Sequence, residues 1–94
     1  MTSIEYPPGI LAITDNGGRT IDRYTVVFAP FVGFGGLDYY PAYYLNARPS
    51  HPQGVGSRHD FTEKPTVRDD ETLISLDNLP PDCRAFVEAE LRDL

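Results

Sequence analysis

The chain has 94 residues, a formal net charge of −6 and one cysteine, Cys83. That length supports one core, so 1–94 reads as a single domain of modest stability unless copies associate. The lone thiol excludes an intramolecular disulfide, no apolar run approaches the roughly 18 residues a membrane span needs, and the acidic balance disfavours direct contact with a nucleic-acid backbone.

The charge is unevenly spread. Residues 1–60 hold five acids against four arginines, whereas residues 61–94 hold nine acids against four bases. An acidic C-terminal third serves either plain solubility or a basic partner, including a protein that itself holds DNA. MTSIEYPPG at the start lacks the basic region and long apolar run of a signal peptide, so a cytoplasmic location is expected.

In chain order, ILAIT (10–14) and IDRYTVVFA (21–29) are rich in β-branched and aromatic residues and read as strands. DNGG (15–18) between them carries the Asn-Gly signal of a turn with positive φ, giving a β-hairpin over 10–29. Alternation puts Tyr24, Val26 and Phe28 on one face and Arg23, Thr25 and Val27 on the other, and the first face is the candidate core. APFVGFGGLDYYP (29–41) has too many glycines and prolines for a helix and reads as an ordered loop or a short broken strand. AYYLNA (42–47) is a third strand. A long polar loop follows over 48–72, with prolines at 49, 52 and 65, and LISL (73–76) is a short fourth strand.

The C-terminal segment reads as a helix over 80–93. Pro80 or Pro81 occupies its start, where a missing N–H costs nothing, and Asp82 faces the positive end of the dipole. Leu79, Cys83, Phe86, Val87 and Leu91 recur at spacings of three and four and form one apolar stripe. Glu88 and Arg92 are placed for a helical ion pair. The fold expected is α+β: a small antiparallel sheet of three to five strands with this helix packed on the face of Tyr24, Val26 and Phe28.

HPQGVGSRHD (51–60) concentrates the polar chemistry. His51, His59 and Asp60 are candidate ligands for a divalent metal, although the close pairs usual in zinc sites are missing. His51 and His59 could alternatively act as an acid–base pair on a phosphoester, with or without a metal. The third option is a shaped recognition loop, in which Arg48, His51, Gln53, Arg58, His59 and Asp60 hold a ligand or the loop's own backbone. Tyr43 and Tyr44 join the candidate binding set, since tyrosine gives large contact area with a polar tip; one of each Tyr-Tyr pair is equally a candidate core residue. GFGG (33–36) lacks the Lys-Ser/Thr of a phosphate loop, so no nucleotide cofactor is called for. No cofactor of any other kind is expected either.

Three segments taken together, TDNGGRTIDRYTVVF (14–28), HPQGVGSRHD (51–60) and ISLDNLPPDCRAFVEAEL (74–91), resemble a group of small tailed-phage and prophage proteins. That group combines a DNGG hairpin, an HPQG loop and a C-terminal Leu-Pro-x-Asp-Cys helix. Residues 29–47 lie outside the likeness. The resemblance implies a viral accessory protein in the host cytoplasm and supplies no activity. The leading expectation is therefore a binding protein that acts on a host protein, such as a defence protein, or captures a small nucleotide-like ligand. A phosphoester hydrolase using His51 and His59 and a structural homo-oligomer are the alternatives.

Overall fold

The computed structural model describes residues 4–20, 22–46 and 56–93. Its strands are β1 (Ile10–Asp15), β2 (Tyr24–Phe28), β3 (Phe31–Val32), β4 (Asp38–Leu45), β5 (Gly56–Phe61) and β6 (Thr72–Leu73), followed by one helix, α1 (Pro81–Arg92). All strand pairs are antiparallel, and the sheet runs β5-β4-β2-β1-β6 from edge to edge. The protein is thus an α+β domain with one C-terminal helix on a sheet, as its local patterns require. No helix among the described residues is long and apolar enough to cross a membrane.

Strand β3 is a continuation of β2. Val27 pairs with Ala42 and Phe31 with Tyr39, so the β2 side carries one extra residue around Ala29–Pro30. That irregularity restores Phe31 to the face that holds Phe28, because an odd insertion reverses the alternation of side chains. A second irregularity, at Leu11, does the same in β1 and puts Ile10 and Ile13 on one face.

The core lies where that face meets α1. Ile10, Ile13, Tyr24, Val26, Phe28, Tyr43, Leu45, Leu79, Cys83 and Val87 are buried together, with Phe86 and Leu91 packed against them. The expected stripe and the expected sheet face therefore meet. Pro80 caps α1 and Pro81 is its first residue. The thiol of Cys83 is 1% exposed and reaches the Asn46 carbonyl; burial pushes its pKa up, so it is a core group. Glu88 pairs with Arg84 one turn earlier, at 3.6 Å, in place of Arg92. Both side chains of that pair are well exposed, and such a pair contributes little.

Three boundaries differ from expectation. The stretch read as a polar loop over 48–72 contains β5, a full strand at the sheet edge. The third strand starts at Asp38, inside the segment read as an ordered loop or short broken strand. The fourth strand ends at Leu73, because Ser75 opens a capped 3-10 turn over Leu76–Asn78: its hydroxyl donates to Asn78 Oδ1 and its carbonyl accepts from the Asn78 N–H.

β5 and β6 lie at opposite edges, so residues 62–71 must cross the sheet. They cross the face away from α1, where Thr14 Oγ1 donates to Glu71 Oε2 at 3.1 Å and Arg19 pairs with Asp70. Both faces of the central strands are covered in consequence. Val27 and Ala42, on the face away from α1, are buried.

Candidate functional site

The β2–β3/β4 hairpin runs on beyond the reach of α1, and its tip changes character. Phe28, at the base, is 2% exposed; Phe31 is 41%, Leu37 54%, Val32 73% and Phe34 92% exposed. Gly35 and Gly36 turn the tip at φ values of 73° and 75°, a region that favours glycine. Gly33 allows a close approach instead: a Cβ there would meet the Tyr39 ring at 2.4 Å. That ring stacks on Phe31 with centroids 5.8 Å apart. The tip is therefore a shaped turn that displays its apolar side chains.

A cleft of about 400 Å³ opens at the base of this hairpin, between the sheet and the end of α1. Phe28, Phe31, Pro41 and Tyr43 form its apolar wall, and Arg58, Glu90 and Asp93 its charged rim. The Tyr43 hydroxyl donates to Glu90 Oε2 at 3.0 Å and accepts from Arg58 Nη1 at 3.4 Å. Its ring meets Phe28 and Phe86 edge-on at 5.3 and 5.4 Å, which fixes it as a core residue with a polar tip. Burial, then the bond to Glu90, raises the Tyr43 pKa. Arg58 is held by Asp60, Nε to Oδ1 at 2.8 Å, and this hydrogen bond raises the guanidinium pKa further. The guanidinium also lies over the Phe31 and Tyr43 rings, 5.7 and 5.8 Å from their centroids.

Strand geometry separates the residues that were expected to act together. Arg58 pairs with Tyr43 and Asp60 with Pro41, on the α1 face, while His59 pairs with Ala42 on the other. His59 lies on that second face against Phe61, ring centroids 4.3 Å apart, and is exposed. His59 and Asp60 therefore do not converge on a metal, and no cluster of three metal-ligating side chains occurs among the described residues. Arg58 and His59 likewise project from opposite faces of β5. Arg48, His51 and Gln53 lie outside the described residues. Tyr43 and Tyr44 diverge too: Tyr44 faces a polar cleft of about 550 Å³ under the 62–71 crossing, beside Thr25, Phe61, Arg68 and Glu71. Burial raises its pKa.

Of the expected binding set, the structure brings together Tyr43, Arg58 and Asp60. It adds Phe31, Val32, Phe34 and Leu37, which sequence reasoning passed over. Their signal was an apolar FVGFGGL in which no position alternates as a buried strand should. Compared with known protein families, curated proteins and solved structures, the chain matches none.

Proposed function

We propose that this protein is a binding module that docks a partner protein through the β3–β4 tip. The observation that carries the reading is the exposure of four large apolar side chains on one short arm, led by Phe34 at 92%. Soluble domains seldom leave such residues grouped in water unless they meet a partner. An aromatic held on a shaped turn also loses little entropy on docking.

The partner's chemistry follows from the surroundings. Asp38 lies in the arm, Glu90 and Asp93 line the adjoining cleft, and the chain carries −6 overall. A complementary surface is an apolar groove bordered by lysine or arginine. With the phage-like order of its motifs, the proposed partner is a host protein, met in the host cytoplasm and inhibited by occupation of that groove. The alternative hydrolase reading pairs His59 with His51, which lies outside the described residues, and His59 stands exposed on the sheet face away from α1 and from the tip.

Phe34→Asp tests this. It should abolish capture of a basic host protein that the wild-type chain retains, while changing folding stability by less than about 0.5 kcal/mol, as exposed positions do. Equal capture by both chains, or none by either, would sink the proposal.

A further inference from the structure

Strand β5 is the outer strand on its side of the sheet: among the described residues it pairs with β4 and with no other strand. Its residues Ser57, Arg58, His59 and Asp60 are exposed. An outer strand presents backbone donors and acceptors that can template another strand, and proteins that avoid this place prolines, bulges or repelling charges there. Residues 57–61 contain no proline, and their ladder to β4 runs in unbroken register. Nor do the charges repel. Arg58 and Asp60 project from one face, two residues apart, with opposite signs.

We propose that β5 pairs antiparallel with β5 of a second copy about a two-fold axis through His59, joining the two sheets edge to edge. A two-fold axis perpendicular to the sheet keeps both helices on one side, so facing residues must come from the same face. With His59 opposite His59, Arg58 of each copy stands opposite Asp60 of the other. Each arginine then has its own Asp60 beside it and the second copy's across from it, and the four charges alternate around a square. Opposite charges facing each other across an antiparallel pair stabilise it, and like charges oppose it. Registers centred on Arg58 or on Asp60 place like charges directly opposite, so charge selects the His59 register. On the other face the two His59 rings meet, each backed by its own Phe61. The opposite sheet edge offers no equivalent, since β6 has two residues.

Sedimentation of the full chain decides the matter. The wild type should dimerise, and Arg58→Asp or Asp60→Arg alone should each raise the dimer Kd about tenfold or more, since every facing pair becomes like-charged. Mixing these two variants should restore a dimer, because each then supplies the charge the other lacks, and the double variant should recover it alone. His59→Asp, which puts two carboxylates together at the axis, should give monomers while circular dichroism shows the native fold. A wild type that stays monomeric up to about 1 mM, or variants that remain apart when mixed, would overturn the proposal.

Discussion

The two hairpins that share β2 end in turns of opposite chemistry. In the β1–β2 turn, Asp15 accepts from the Gly17 N–H at 2.8 Å and holds Arg23, while Asn16 accepts from Gly18 and Arg19 and donates to Thr20 and the Asp22 carbonyl. Its polar groups are satisfied within the turn, and Arg19 ties it to the 62–71 crossing through Asp70. The β3–β4 tip has a backbone bond from Gly36 to Gly33 and the Gly33–Leu37 link, and turns its apolar side chains to water. A turn that closes its own hydrogen bonds holds a register. A turn that leaves Phe34 in water keeps contact area for something else. One strand thus serves both a structural end and a docking end.

The comparison breaks most forcefully at the strand both hairpins use. Phe28→Ala removes a fully buried ring that supports Tyr43 and should cost about 3–5 kcal/mol, read as a fall in the urea midpoint with both hairpins lost together. Asn16→Ala should cost about 1 kcal/mol, since the remaining turn groups regain water when the amide's bonds go. An unchanged midpoint would mean that the polar turn is no better held than the apolar tip. The smallest effect is a pH dependence. The hydrogen bond from Arg23 holds the Asp15 carboxyl below its ordinary 3.8 against a modest opposing effect of burial, with the Gly17 N–H adding to the lowering. A folded-state pKa below the unfolded one stabilises the fold above the unfolded value, and that stability is lost as pH falls through the folded value. The gap in stability between wild type and Asp15→Asn should therefore be full at neutral pH and shrink below about pH 4. A gap independent of pH would place the contribution of Asp15 elsewhere.

The β1–β2 hairpin and α1 were legible because their signals are local. Asn16-Gly17 requires a positive φ that Gly17 adopts at 78°, and the stripe from Leu79 to Leu91 needs only helical spacing. β5 was not legible. Before Phe61, SRHD is polar on both faces, as an exposed outer strand can be, so it carries no alternation of apolar and polar residues, and the nearby glycines suggest a loop. The tip is legible only as an ordered loop or short broken strand: the glycines around Phe34 set it apart from the regular YTVVF run that holds Phe28, but they do not say that its ring stands in water, since phenylalanine is ordinarily a core residue.

The amino-acid order alone determined the β1–β2 hairpin with its polar turn, the C-terminal helix with its start, and the two apolar faces that pack together. These depend on residues a few positions apart, whose spacing is visible in one dimension. Tertiary structure alone decided which functional groups share a surface: Tyr43 meets Arg58 and, 47 residues further along the chain, Glu90, while adjacent His59 and Asp60 part to opposite sides. Strand pairing sets those neighbours, and a side chain's face follows from whether its segment is a strand and from every irregularity before it.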